Sequence, residues 1–313
     1  MKCLIKKLIL FLVPCFIVCL IILVIDPYDY FGVSPFAGDE DKIRIAKVED
    51  SSRRQRIINY RKHPTKNIII GASQIGHIDA QNIGGGNWSN IANGGANIDD
   101  EVIVFWQIVN DYPIDSVLFS VEPYNYTVSD GHSSHQMMTD AYKMIKNPLL
   151  YFVDRYVYKT TASYIIHQSK KLISKKNEEI TEAPNSTKDA FWNSQIELAK
   201  SNLKNRRNSN LLRENIQEIV KYCRDNNIYI AAVVPMSHVD LYNVFSEYKE
   251  AIFLPEVTSD FGIVYDFMIP NSFTQNKENF GDPLHAHGES DIYIDAIFKK
   301  GSNNEYFKLY KNE

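Results

Sequence analysis

Apolar and polar positions divide the chain into three regions. Residues 8–25 are almost continuously apolar, and residues 26–66 are polar and charged. From residue 67 onward, short apolar runs alternate with amphipathic stretches. Such alternation is typical of a parallel sheet built from βα units. The pattern therefore predicts one large α/β domain over residues 67–313.

Five apolar runs are predicted as strands of that sheet. The first, Asn67–Ile70, consists mostly of isoleucine, as expected of a strand that is covered on both faces. The other four runs are residues 89–92, 116–121, 228–234 and 263–266. Helices with one apolar face are predicted at residues 99–109 and 211–226. These elements predict a three-layer α/β/α sandwich around a central parallel sheet of about five strands.

Residues 127–197 do not follow this alternation. They are rich in Tyr, Lys and Ser and contain no clear strand, so we expect a helical insertion lying over one end of the sheet. Ligand sites of open parallel sheets lie beyond the carboxyl ends of the strands. An insertion that leaves the third strand is therefore a candidate for substrate selection.

The N-terminal apolar run predicts a membrane anchor at residues 1–26, followed by a stalk and lead-in element at 27–66. Eighteen apolar residues are about the minimum for a membrane-spanning helix. Lys2, Lys6 and Lys7 precede the run, which predicts a cytoplasmic N-terminus and an extracytoplasmic domain, periplasmic or at the cell surface. A cleaved signal peptide is the alternative, but no small-residue cleavage pattern follows the run.

Composition narrows the class of protein further. The chain has 313 residues, 44% of them hydrophobic, which is enough to bury a sizeable core. A formal net charge of −4 gives no reason to expect nucleic-acid binding. Cys223 is the only cysteine beyond the predicted anchor, so the domain has no intrachain disulfide and its stability must come from its core.

The first candidate for chemistry is Ser73, which follows the first predicted strand. Gly71 lies two residues before it and is expected to let the backbone turn sharply, presenting the hydroxyl at the edge of the sheet. The segment is not the Gly-x-Ser-x-Gly nucleophile elbow, because Ile75 occupies the last glycine position. A turn or helix cap is the alternative interpretation of this serine.

The second candidate is the segment Asp282-Pro-Leu-His285 near the C-terminus. A spacing of three lets the carboxylate orient the imidazole, whose other nitrogen can then accept the proton of a hydroxyl nucleophile. His287 is a competing base, but its spacing of five from Asp282 is less natural. An ordinary loop histidine with an aspartate that caps the next helix is the structural alternative.

A tetrahedral acyl intermediate also needs hydrogen-bond donors for its oxyanion. The Asn93-Gly94-Gly95 turn after the second strand offers backbone N–H groups at the same sheet edge, and the Ser73 N–H is another donor. Asn125, after the third strand, could add a side-chain amide. Gly94 and Asn125 are therefore the predicted oxyanion residues.

These motifs together resemble the SGNH (GDSL-like) hydrolase superfamily. Gly-x-Ser73 after the first strand, the Gly94 turn, a polar segment after the third strand and Asp282-x-x-His285 carry the resemblance. The N-terminal apolar run and Val121-Glu-Pro-Tyr124 resemble its membrane-anchored branch, which includes proteins that acylate cell-surface polymers. The resemblance implies a flavodoxin-like fold, with Ser73 as nucleophile, His285 as base and Asp282 as orienting acid.

The sequence departs from that family at two motifs. Gly-Ala-Ser73 replaces Gly-Asp-Ser, and Glu122-Pro-Tyr-Asn125 replaces Gly-x-Asn-Asp, which leaves the third oxyanion donor open. We predict serine-dependent acyl transfer onto an extracytoplasmic glycan, with no cofactor or metal and with an acyl-donating membrane protein as a partner. The alternatives are an ester hydrolase, an inactive binding or scaffold protein, and metal-dependent hydrolysis through Asp282, His285 and His287.

Overall fold

The computed structural model describes residues 2–48, 52–124, 135–174, 185–205, 210–300 and 304–312. Within these ranges the chain forms two compact units. The first unit combines residues 1–63 with 139–180, and the second combines residues 64–138 with 181–313. The predicted serine, histidine and aspartate all belong to the second unit.

Helices account for most of the described chain. The α-helices are α1 (Lys2–Ile25), α2 (Glu40–Val48), α3 (Ser52–Lys62), α4 (Ile98–Val109), α5 (His135–Lys146), α6 (Arg155–Ser174), α7 (Asn185–Lys204), α8 (Asn210–Asp225), α9 (Val239–Tyr248), α10 (Leu254–Phe261) and α11 (Ser290–Ile294). The strands are β1 (Asn67–Ile70), β2 (Trp88–Asn90), β3 (Ser116–Ser120), β4 (Tyr229–Val234), β5 (Ile263–Asp266) and β6 (Lys308–Lys311).

The first unit has a small aromatic core of its own. Tyr28, Tyr30 and Tyr151 pack together with the buried Ile22 and Ile58. Asp26, which follows the end of α1, is buried and accepts hydrogen bonds from the Tyr30 N–H and the Tyr151 hydroxyl, each at 2.8 Å. The region after the apolar run is therefore packed and hydrogen-bonded around a buried carboxylate, where the sequence predicted only a stalk and lead-in element.

The second unit is built on a six-stranded sheet with the order β2-β1-β3-β4-β5-β6. The first five strands are parallel, which confirms the α/β class and the five predicted strands to within about two residues at each end. The prediction of a purely parallel sheet was wrong, because β6 pairs antiparallel with β5. β6 was missed because its sequence, Lys-Leu-Tyr-Lys, is short and charged, as edge strands often are.

Helices cover both faces of the sheet. On one face, Phe119 of β3 packs against Phe261 of α10. On the other face, Leu118 of β3 belongs to a cluster with Trp192 of α7 and Tyr293 of α11. The inner strands β1, β3, β4 and β5 are largely buried, which explains their apolar runs. This arrangement brings the carboxyl ends of β1, β2 and β3 to one edge of the sheet.

Within the region predicted as an insertion, the described residues form α5, α6, most of α7 and a 3-10 turn at Pro148–Val153. No strand occurs there among the residues that the structure describes. A search of the described residues for a membrane span found no helix both long enough and apolar enough to cross a bilayer. The predicted membrane anchor therefore has no support among the described residues.

Candidate active site

Ser73 opens a short 3-10 turn, Ser73–Ile75, at the carboxyl end of β1. The two residues that follow it are buried: Gln74 is 4% exposed and Ile75 is fully enclosed. The side chains of Gln74 and Ile75 pack the turn against the core, while the Ser73 side chain remains partly exposed. The fold therefore presents a hydroxyl at the sheet edge on a turn that packing holds in place.

Gly71 is required for space rather than for conformation. A Cβ atom at this position would lie 2.2 Å from the Ser120 Cβ and 2.6 Å from the Ile75 Cδ1. Its backbone does not adopt a positive φ angle. The close approach of β3, rather than a left-handed turn, accounts for the glycine two residues before Ser73.

The loop from Gly281 to His285 is shaped by the Asp282 carboxylate. Its Oδ1 accepts hydrogen bonds from the backbone N–H groups of Leu284 at 2.8 Å and His285 at 3.0 Å. The Gly281 N–H donates to the His285 carbonyl at 2.9 Å, which closes the loop. A short bridge between Phe280 and Ala286 anchors its base. Asp282 thus orients the loop through one oxygen and leaves Oδ2 for the imidazole.

The structure brings Ser73, His285 and Asp282 together, although 212 positions separate the serine from the histidine. The Ser73 Oγ lies 2.7 Å from the His285 Nε2, and the His285 Nδ1 lies 2.7 Å from the Asp282 Oδ2. An ionised carboxylate can only accept, so Nδ1 carries the proton and Nε2 accepts from the serine hydroxyl. This is the connectivity that a hydroxyl nucleophile, a general base and an orienting acid require.

The environment keeps Asp282 ionised. Burial alone would raise the pKa of this carboxyl, but the hydrogen bond and charge of His285 and the two backbone N–H donors outweigh burial and lower it. The net pKa lies below the usual value of 3.8. A carboxylate that stays charged can stabilise the imidazolium that forms when His285 takes a proton.

Gln74 connects the serine turn to the histidine loop, a role that no sequence motif indicated. Its Nε2 donates to the Leu284 carbonyl at 2.9 Å and to the Met236 carbonyl at 3.3 Å, while its Oε1 accepts from the Tyr124 hydroxyl. One side chain therefore connects the residues after β1, β3 and β4 with the loop that carries His285. A polar residue next to a candidate nucleophile would ordinarily be read as exposed, which is why it was missed.

Two buried glutamates lie behind this network. Glu122 is 1% exposed and accepts from the Ser120 hydroxyl at 2.6 Å. Burial, and then the charges of Glu122 and Asp100, raise the pKa of Glu101 well above its usual value. Burial, followed by Glu122, Glu101 and Asp282, likewise raises the pKa of Tyr124, which keeps its phenol protonated as a donor to Gln74. Acidic groups therefore lie close to Tyr124, whose phenol stays protonated.

The structure describes only one of the two predicted oxyanion residues. The turn containing Gly94 lies beside the serine segment, because the Asn93 N–H donates to the Gly71 carbonyl at 2.7 Å. The space around the Gly94 Cα is open, with no atom within 4 Å of a Cβ built there. Asn125 lies outside the described residues. The oxyanion roles of Gly94 and Asn125 stay predictions.

His287 takes no part in the serine contact. Its Nε2 would lie 2.8 Å from a Cβ built on Gly281, so its ring packs over that glycine. The backbone N–H of His287 donates to the Asn279 carbonyl at 2.8 Å. Among the described residues, no group of three or more His, Cys, Asp or Glu side chains is arranged to hold a metal ion. Of the two candidate bases in the sequence, the fold places His285 at Ser73.

Comparisons with known proteins add little to this geometry. No family model and no curated protein matches the chain. One solved structure that matches is described as a "putative platelet activating factor" from Streptococcus pneumonia; it shares 9% identity and a TM-score of 0.33, over 81% of this chain and 90% of that one. A similarity at this level carries no argument about the present chain.

Proposed function

We propose that the second unit is a serine-dependent acyl-transfer enzyme, with Ser73 as nucleophile, His285 as general base and Asp282 as the residue that orients and stabilises the imidazole. The observation that carries the proposal is the hydrogen-bonded series from the Ser73 Oγ through both ring nitrogens of His285 to the Asp282 Oδ2, with 2.7 Å at each step. Catalytic groups of this type act within such distances.

The first half-reaction consumes an ester donor. The Ser73 Oγ attacks the ester carbonyl carbon while its proton moves to the His285 Nε2, giving a tetrahedral oxyanion. In this proposal the Ser73 and Gly94 N–H groups stabilise that oxyanion, with an amide of Asn125 as a third donor. Collapse of the intermediate breaks the bond to the alcohol, which leaves with the proton from His285, and the acyl group remains on Ser73.

The second half-reaction returns the enzyme to its starting state. His285 removes the proton of an incoming hydroxyl, whose oxygen attacks the acyl carbon to give a second tetrahedral intermediate. The bond between the acyl carbon and the Ser73 Oγ then breaks, and the proton on His285 passes to the Ser73 oxygen. The acceptor that we propose is a hydroxyl of an extracytoplasmic glycan, and this choice rests on the sequence resemblance. Water as acceptor would make the same site an ester hydrolase.

A fluorophosphonate probe tests the nucleophile directly. The wild-type chain should be labelled on Ser73, and Ser73→Ala should abolish the labelling. Ser194→Ala, on an exposed position of α7, is the matched control and should leave labelling unchanged. Absence of labelling, in a folded chain that an uncharged sulfonyl fluoride also fails to modify, would favour a binding or scaffold protein.

The acceptor requires a second measurement. Incubation with an aryl ester should release the aryl alcohol and leave an acyl adduct on Ser73 that is visible by mass spectrometry. Transfer predicts that an added oligosaccharide accelerates turnover and becomes acylated, whereas hydrolysis predicts free acid at the same rate with or without it. The extracytoplasmic location and the acyl-donating membrane partner belong to the same proposal, and protease accessibility of the second unit in sealed membranes tests the location.

A further inference from the structure

The exposed apolar surface of this protein is concentrated in the first unit. Among the described side chains, twenty large apolar residues are exposed, and seventeen of them belong to that unit. Proteins do not ordinarily leave so many large apolar side chains in water without a partner. The first unit therefore carries a surface that something else covers.

Helix α6 contributes the most exposed part of this surface. Its exposed apolar residues are Tyr158, Ile165, Ile166, Leu172 and Ile173, of which Leu172 and Ile173 are 83% and 85% exposed. At 3.6 residues per turn these five side chains fall within about 120° of arc. They lie along one side of the helix, which also carries Ala162, Ser169 and, in the first turn, Arg155, and we call the five apolar side chains the α6 stripe.

The opposite side of α6 packs into the core of the first unit. Val157 and Thr160 are fully buried, and Tyr164 is 3% exposed. The helix is therefore apolar on two sides, one packed within its unit and one exposed. An exposed stripe is not needed to hold α6 in place, so its apolar character calls for a separate explanation.

Charge along α6 indicates what covers the stripe. The helix contains Arg155, Lys159, Lys170 and Lys171 and no acidic residue. Lys159 and Lys170 lie about 20° and 40° beyond one edge of the stripe. Basic residues beside an apolar stripe are the pattern of a helix that lies in the interface of an anionic bilayer, with its apolar side chains among the lipid headgroups.

The exposed residues of helix α1 favour a bilayer, rather than a second copy of the chain, as the partner of the α6 stripe. α1 belongs to the same unit and exposes eight apolar side chains between Leu12 and Val24. Two α6 helices packed stripe to stripe would bring Lys159 and Lys170 of each copy near those of the other, with no acidic residue on either helix to pair with them. An anionic bilayer can bury the apolar α6 stripe and can also place negatively charged headgroups beside Lys159 and Lys170.

We propose that α6 is a membrane-surface helix, whose α6 stripe enters the interface of an anionic bilayer while Lys159 and Lys170 contact lipid headgroups. The helix lies on the membrane rather than crossing it, because lysines interrupt its length and its exposed apolar residues occupy only one side. The proposal does not depend on the chemistry of Ser73.

Site-specific fluorescence tests the proposal in the full chain. Cys3, Cys15, Cys19 and Cys223 are replaced by serine, and Leu172→Cys carries an environment-sensitive NBD label. With vesicles of phosphatidylcholine and phosphatidylglycerol, we expect a blue shift of the emission, quenching by spin-labelled lipid and protection from iodide. A label at Glu218→Cys, exposed on α8 in the second unit, is the matched control and should show none of these changes.

Charge and apolar contributions are separated by two further variants. Lys159→Glu with Lys170→Glu should reduce the blue shift on anionic vesicles and make it insensitive to salt. Ile165→Ser with Ile166→Ser, at exposed positions that should not affect folding, should reduce it in every lipid. Continued iodide access at residue 172 in vesicle-bound protein would overturn the proposal, as would a blue shift without lipid that grows with protein concentration, which would indicate a second copy.

Discussion

The carboxamide of Gln74 donates to the backbone carbonyl of Leu284 at 2.9 Å, across 210 positions of sequence. Gln74 follows Ser73, and Leu284 precedes His285, so this hydrogen bond joins the immediate neighbours of the two groups that must meet. Since a buried amide without partners is costly, the bond favours the arrangement in which serine and histidine are in contact.

Replacing Gln74 with methionine should show whether Gln74 positions the catalytic residues or helps to bind the substrate. The variant keeps the length of the side chain but loses the hydrogen bonds to Leu284, Met236 and Tyr124. We expect kcat to fall by up to about a hundredfold with little change in KM, since small misplacements of catalytic groups have effects of this size. Kinetics on an aryl ester would measure this.

Two controls accompany that variant. Gln81→Met, at an exposed position, should leave kcat unchanged. Tyr124→Phe removes one of the three hydrogen bonds of Gln74 and should reduce kcat less than Gln74→Met does. A positioning role would be contradicted if KM rose in Gln74→Met by as large a factor as kcat fell. It would also be contradicted if the fall in kcat were explained by unfolding at the assay temperature.

Asp282→Asn should remove the charge that orients His285 while keeping the shape of the loop. An asparagine amide can present a donor to Nδ1 and so favour the wrong imidazole tautomer, and we expect kcat to fall by about 10⁴-fold. Ser73 labelling by a fluorophosphonate should slow in parallel. Retention of full activity would mean that Asp282 only shapes the loop through its Oδ1 hydrogen bonds.

The same variant should change how stability depends on pH. Because the pKa of Asp282 is lower in the folded chain than its usual 3.8, its carboxylate stabilises the fold above that value. This contribution is lost as pH falls through the lowered pKa. The difference in free energy of unfolding between wild type and Asp282→Asn should thus be largest near neutral pH and shrink in acid, as urea unfolding would show.

Gly71→Ala should destabilise the chain, whereas Gly94→Ala should not. The new methyl at 71 meets Ser120 and Ile75 below van der Waals distance, and overpacking of this kind costs about 1–3 kcal/mol or more. The methyl at 94 enters open space and keeps the N–H group proposed for the oxyanion. Thermal unfolding of both variants tests this, and equal stability would show that β1 and β3 can separate at no cost.

A buried ion pair away from the site offers a test of the fold itself. The Lys249 Nζ lies 2.6 Å from the Asp266 Oδ2, and both side chains are fully buried. Burial raises the pKa of Asp266, and the charge of Lys249 opposes that rise. Lys249→Met leaves the carboxyl without its cation and should cost about 3–5 kcal/mol of stability.

The double variant makes that prediction specific. Lys249→Met combined with Asp266→Asn removes both charges and should recover much of the lost stability in urea unfolding. Lys221→Met breaks an exposed pair with Asp225 on α8 and should have no measurable effect. A single Lys249→Met variant as stable as the wild type would show that Asp266 readily accepts a proton in place of its partner.

Local pattern was sufficient for the five parallel strands but not for the elements around them. β1 and β5 begin and end where their apolar runs do, because parallel strands buried on both faces must be apolar throughout. β6 could not be predicted in the same way, since an edge strand with lysines has no apolar signature. The packing of residues 26–63 into a unit with its own core depends on Tyr151, which contacts Tyr28 across 123 positions of sequence.

For the site, the sequence by itself determined that Ser73 follows a strand and that Asp282 and His285 share a short loop, because both facts follow from local spacing. Only the tertiary structure decided that His285, rather than His287, contacts the serine. It also showed that residue 71 must be glycine because β3 approaches closely there. It also brought Gln74 into the middle of the network. These outcomes depend on contacts between distant segments, and single-sequence patterns carry no information about which distant side chains will be packed together.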